Sequence, residues 1–243
     1  MVITTTAVAF VLLSVGLAFV GWRFLKAFRE TDSARTDRKS GFLLGLFFLA
    51  SALHNGILGV GALFFARNPE GLSAVFIVAY FFLVLFAVFG VYALHYIFWP
   101  HTSFNLAVII TGILGIIGAV LIFVTPARPF TTSQNSVDWN IPFPLSFITF
   151  CLFLIALAAA FYIFIQLFFR SEAREIQILS LIISLLALVG IINVFTRLVL
   201  LYGAPAAFRS RILDIGVGLT GIGFIIFLIV APLIKNYLRS GEK

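Results

Sequence analysis

Five side chains able to bond or carry charge stand inside otherwise apolar runs: His54, Asn55, Asn193, Arg197 and Asp214. Polar groups in hydrocarbon are costly, so these positions are where a ligand or a partner helix is to be expected. Ser51, His54 and Asn55 follow the i, i+3, i+4 spacing that places side chains on one helix face. Gly190, Asn193, Thr196 and Arg197 form a similar stripe, and Asp214, Gly218 and Gly221 another. An imidazole can accept, donate or pass a proton, carboxamides can do both halves of a hydrogen bond, and a guanidinium near a carboxylate can gate a cavity or orient an anion. The reading is therefore of a binding site, with no catalytic residues assigned.

The elements that must position these groups are seven apolar stretches, at about 3–25, 41–66, 72–98, 104–125, 144–169, 176–202 and 211–235. A spanning helix needs roughly 20 such residues, and in lipid only helices or closed barrels satisfy their own backbone. Hydrophobic residues make up 62% of the chain against 10% charged, with mean hydropathy +1.17, far from a soluble domain. Continuous runs rather than alternating ones exclude a barrel. The expected fold is all-α, a single polytopic seven-helix transmembrane bundle over residues 1–243.

Sidedness follows from the basic residues. Arg23, Lys26, Arg29, Arg35, Arg38, Lys39, Arg170, Arg174, Lys235, Arg239 and Lys243 fall on one side; Arg67, Arg128, Arg209 and Arg211 on the other. The positive-inside rule then places the N-terminus outside and the C-terminus in the cytoplasm, in a bacterial or archaeal plasma membrane as the simplest setting. Trp22 and Trp99 are expected at cytoplasmic helix ends and Trp139 at headgroup depth in the outer loop, with Tyr96, Tyr202 and Tyr237 completing the belts. Residues 1–8 carry no basic stretch, so the first run reads as a retained helix.

At 1.5 Å per residue, Arg197 and Asp214 lie within roughly 10 Å of the outer surface, and Asn193, Asn55 and His54 about 15 Å deep. This predicts a polar column opening outward between the second, sixth and seventh helices, with Arg197 and Asp214 meeting at its mouth. Two plainer arrangements use the same residues: Arg197 snorkelling while Asp214 pairs with Arg211 or sits at its helix N-terminus, and His54 neutral and bonded to a neighbouring helix. The loop from Thr125 to Pro144 carries four prolines and offers Arg128, Asp138 and Trp139, as a lid over the cavity or as a spacer. Glycines such as Gly112, Gly115, Gly118, Gly216, Gly218, Gly221 and Gly223 read as close helix contacts.

Other chemistries lack their residues. Cys151 is the single cysteine, so there is no internal disulfide or cysteine metal site. His54 stands apart from His95 and His101, which leaves no axial pair for a b-type haem, and no His, Asp and Glu cluster fits an intramembrane zinc hydrolase. No cofactor or metal is therefore expected, nor an enzyme. The net charge of +7 reads as a topology signal rather than a nucleic-acid footprint. The N-outside seven-helix layout resembles microbial rhodopsins, and Leu213-Asp214-Ile215 is similar to the acidic position of their last helix. A retinal Schiff base, however, needs a lysine one turn later, where this chain has Gly218. The layout also resembles the seven-helix input regions of bacterial sensors. The expected function is a receptor-like membrane protein that senses a small ligand or partner through its outward cavity and works with the lipid bilayer and a separate membrane partner or signalling effector. A small transporter or channel, and an accessory subunit of a larger complex, are the competing expectations.

Overall fold

A computed structural model describes residues 3–30, 35–99 and 106–240. Seven helices dominate it: α1 (Thr5–Glu30), α2 (Arg35–Phe64), α3 (Pro69–Phe98), α4 (Leu106–Val124), α5 (Phe143–Arg170), α6 (Arg174–Phe195) and α7 (Ala206–Ser240). All seven contain a segment long and apolar enough to cross a membrane. The chain is thus an all-α, seven-helix integral membrane bundle. The connection at Pro100-His101-Thr102, residues 31–34 of the first basic loop and Lys243 lie outside the described residues, as do the side chains of Arg29, Arg35, Arg38, Lys235, Tyr237 and Arg239.

Several helices outrun their apolar stretches. Residues 68–71, between the second and third apolar stretches, open α3: Asn68 caps it by accepting from the Gly71 N–H at 3.0 Å, and Pro69, which has no N–H to satisfy, fits the first turn. At its other end α6 widens into a π-helical turn, Thr196–Leu200, closed by the Leu201 N–H on the Thr196 carbonyl at 2.8 Å. In α7, Pro232 removes the N–H that would have bonded the carbonyl four residues earlier. That carbonyl, Leu228 O, instead accepts from Arg23 Nη2 on α1 at 3.4 Å. A basic residue counted only for sidedness thus mends a helix.

Neighbour relations define the architecture. α1 packs on α2 and α7, α2 on α3, α3 on α5, α5 on α6, and α6 on α7, so that six helices close a ring. α4 touches only α3 and α5 and stands outside it. Its outer face, Ile109, Ile110, Ile113, Ile116, Ile117, Val120 and Phe123, is exposed. On its inner face Gly115 and Gly118 leave room for Val84 and Tyr80 of α3, and a methyl at Gly118 would overlap the Tyr80 hydroxyl. Lys39 lies 4.5 Å over the ring of Tyr96, and Trp99 is exposed at the end of α3, whereas Trp22, also exposed, lies within α1, which runs on to Glu30. Trp139 is not an interfacial belt residue: it is 3% exposed and packs on Phe76 at 6.2 Å between ring centroids.

Candidate functional site

The loop between α4 and α5 folds into the end of the ring that carries the N-terminus. Phe130–Thr131 (β1) and Val137–Asp138 (β2) pair antiparallel, with Asn135 at φ 58° turning the chain between them. Asparagine tolerates that left-handed conformation better than most residues. The hairpin is sewn to its surroundings by main-chain groups: Thr5 N–H to Asn135 O at 3.0 Å, Asn135 Nδ2 to Ile3 O at 2.7 Å, Ser73 Oγ to Ala127 O at 3.3 Å, and Thr131 Oγ1 to Ala66 O. Ser136, Val137 and Asp138 are fully buried. Of the two readings open for this loop, the structure has the cap.

Two carboxylates organise this end. Asp138 Oδ1 accepts from Arg197 Nη2 at 3.0 Å and from the Asn140 N–H at 2.8 Å, while Oδ2 accepts from Arg209 Nε at 2.6 Å. Arg209 also donates to the Tyr202 carbonyl at 2.9 Å, tying the cap to the α6–α7 connection. Asp214 Oδ2 accepts three hydroxyls: Thr5 at 2.6 Å, Thr6 at 2.9 Å and Ser136 at 2.6 Å. Thr6 Oγ1 in turn accepts from the Val137 N–H at 2.8 Å.

The expected meeting of Arg197 with Asp214 is therefore corrected. Arg197 is taken by Asp138 of the cap, and Asp214 by Ser136 of the cap together with Thr5 and Thr6 of α1. The plainer reading fails too, because Arg211 reaches Gln134 at 3.4 Å and Asp214 is held by hydroxyls. The physical reason is supply: a hairpin inserted between the two residues offers Asp138 to the guanidinium and Ser136 to the carboxylate before they can reach one another.

Beneath the cap lies a chamber of about 150 Å³, walled by all six ring helices and by Trp139 and Ile141 of the cap. His54, Asn55, Asn193 and Arg197 line it; Asp214 does not. The predicted column between three helices is thus a capped chamber among six. Most of its wall is apolar, including Phe10, Leu58, Phe76, Leu83, Phe153 and Val217. On the side away from the cap, Phe47, Phe48, Phe86, Phe153 and Phe224 pack ring against ring, with centroids 4.6 Å apart for Phe47–Phe86 and 5.1 Å for Phe47–Phe48. These rings form a floor.

His54 Nδ1 lies 2.8 Å from Ala79 O of α3. A carbonyl only accepts, so Nδ1 carries a hydrogen and Nε2 is the ring atom left for another partner. The ring stands edge-on to Phe153 at 5.3 Å. Asn55 spends Nδ2 on Ser51 O within its own helix at 2.8 Å. Asn193 lies against Gly216 of α7, where a methyl would collide with its carboxamide. His54→Ala is expected to lower stability by about 1–3 kcal/mol, from the lost cross-helix bond and the void left behind, read as the unfolding midpoint in detergent. A His54→Asn variant, which can still donate to Ala79 O, should recover part of that loss.

Arg209, Thr5, Thr6 and Ser136 were not legible as site residues, although Asp138 is the only acid in its loop. Hydroxyls at a helix start carry no signal of a distant carboxylate. Fold and site define an integral membrane protein with a capped internal chamber. No protein-family model, curated protein or solved structure matches the chain.

Proposed function

We propose that this is a receptor-like membrane protein, N-terminus outside and C-terminus in the cytoplasm, that holds a small ligand beneath its cap and converts occupancy into altered helix packing. The observation that carries the reading is the capped chamber that His54, Asn193 and Arg197 line. Orientation rests on the excess of Lys and Arg around the C-terminal ends of α1, α5 and α7. The aromatic floor favours binding over passage, since a transported solute needs a path through the other half of the bundle. The cap supplies the coupling: through Arg197 and Arg209 it grips α6 and α7, and through Thr5 and Thr6 it grips α1. A ligand that prefers one position of Arg197 shifts all of these together, and only such a preference can transmit anything.

The test is made on the full chain purified in mild detergent. Small molecules released on denaturation are identified by mass spectrometry, alongside those from Ala187→Leu, which adds bulk to a buried wall position of the chamber. In a Cys151→Ser background, spin labels at Ser133 and Phe208 report the distance from cap to α7. The expected result is a molecule retained by the parent chain and lost from Ala187→Leu, with a label distance that changes when that molecule is removed and returns when it is restored. Identical release from both chains, or a distance indifferent to occupancy, overturns the reading. A co-purifying chain lost with the same substitution would mark the effector.

A further inference from the structure

At the capped end of the chamber two donors point to what it holds. Arg197 and Trp139 are only 4% and 3% exposed, and both line the cavity. Arg197 gives Nη2 to Asp138, yet its Nε–H has no acceptor; neither has the Trp139 Nε1–H. A buried N–H left unpaired forfeits the full desolvation cost of that group, so a pair of them beside one cavity fits an acceptor from outside the chain.

Charge narrows the acceptor. The cluster joins two guanidinium groups, Arg197 and Arg209, to one carboxylate, Asp138. Of these charged groups only Arg197 is on the chamber wall; Asp214, the other acid at this end, is bound by three hydroxyls rather than by either guanidinium. A carboxylate ligand balances the cluster, and its two oxygens match two separate N–H donors better than a single hydroxyl does.

Size narrows the rest. A cavity of this volume lined by Leu, Ile and Phe accommodates a molecule the size of benzene. A phospholipid or a long-chain fatty acid is several times too large. Most of the remaining wall, including Phe76, Leu83, Phe153 and Val217, offers apolar contact, broken by His54, Asn55 and Asn193.

We infer that the chamber binds a small carboxylic acid as its anion, with a compact apolar body of about six to eight carbons, its head on Arg197 Nε and Trp139 Nε1. This rests on the chamber being a ligand site, and it names the ligand class that the receptor reading leaves open.

The experiment uses the full chain in nanodiscs and measures binding by the unfolding midpoint and by tryptophan fluorescence. The probes are benzoate, hexanoate, benzyl alcohol, benzylamine and dodecanoate. Benzoate and hexanoate are expected to bind about tenfold or more tightly than the alcohol, because the charged head gains hydrogen bonds that the hydroxyl cannot match. Trp139→Phe and Arg197→Lys, each removing one of the two N–H donors, should weaken benzoate about tenfold and leave benzyl alcohol unchanged. Should Arg197→Lys fail to fold, the probe series on the parent chain and Trp139→Phe decide the matter. Equal binding of acid and alcohol, preference for the amine, tighter binding of dodecanoate than hexanoate, or undiminished benzoate binding by folded variants overturns the ligand class. If the acids bind with the expected selectivity while the Ser133–Phe208 distance stays fixed, the ligand class stands and the receptor reading falls.

Discussion

Asp138→Ala is expected to be the most damaging single change in the protein, costing about 3–5 kcal/mol, the usual penalty for removing one partner of a buried ion pair. Asp138 is fully buried and is the ionic partner of Arg197 and Arg209, which are themselves largely buried. Without it two guanidinium groups face each other in a medium where water cannot replace the lost oxygens. The cap should then loosen, because Asp138 joins it to Arg197 after α6 and to Arg209 of α7, leaving Ser136–Asp214 and Gln134–Arg211 to hold it to α7. Two measurements check this: the unfolding midpoint in detergent, and protease cleavage within residues 128–136, which should accelerate in the variant. Asp138→Asn keeps the shape and one acceptor but removes the charge, and should fall between the two. The triple change Asp138→Ala, Arg197→Met, Arg209→Met should recover much of the loss, since apolar groups of similar bulk often replace a buried ionic cluster without penalty. A midpoint for Asp138→Ala equal to the parent's would show that the ionic cluster contributes nothing net.

Gly221→Ala is expected to cost about 1–3 kcal/mol, the usual range for overpacking, and to lie toward or beyond its upper end. A methyl there would stand 2.6 Å from Leu13 N and 2.9 Å from Leu13 Cα. Those atoms are helix backbone, which cannot swing aside as a side chain can, so α1 and α7 must separate along their length. Gly59 makes the matching approach on the other flank of α1, where a methyl would meet Val11 N at 2.9 Å. The first helix is thus clamped by glycines on both sides. Gly112 on α4 is the control: nothing lies within 4 Å of its added methyl, and Gly112→Ala should stabilise by about 0.5–1 kcal/mol through helix propensity alone. Thermal unfolding of both variants in one detergent compares them directly. A harmless Gly221→Ala would mean that the α1–α7 interface is looser than its backbone spacing requires.

The glycine clamp was legible only as a type of contact. Small residues four apart on a lipid-soluble helix signal close packing, but which glycine meets backbone and which meets open space depends on the neighbour. Gly112, Gly115 and Gly118 recur at equal spacing, yet the first faces nothing while the last houses Tyr80. Of the five polar positions singled out from sequence, His54, Asn55, Asn193 and Arg197 share one chamber, because helical spacing and depth along a span are local properties. Asp214 shares the depth of Arg197 but serves the cap.

Sequence alone determined the seven helices, since the length and continuity of an apolar run decide both that it crosses lipid and that it must close its own hydrogen bonds. Sequence also singled out the costly groups inside them. It could not determine the order of helices around the ring, which left α4 outside and set α1 between α2 and α7, because nearly interchangeable apolar faces carry little information about their neighbours. Nor could it assign partners to Arg197 and Asp214. Those were decided by a hairpin more than 50 residues from the first and more than 70 from the second, whose position follows from backbone hydrogen bonds to Ile3, Thr5 and Ala66. Charges pair with whatever the folded chain brings within reach, and that is a property of the whole bundle.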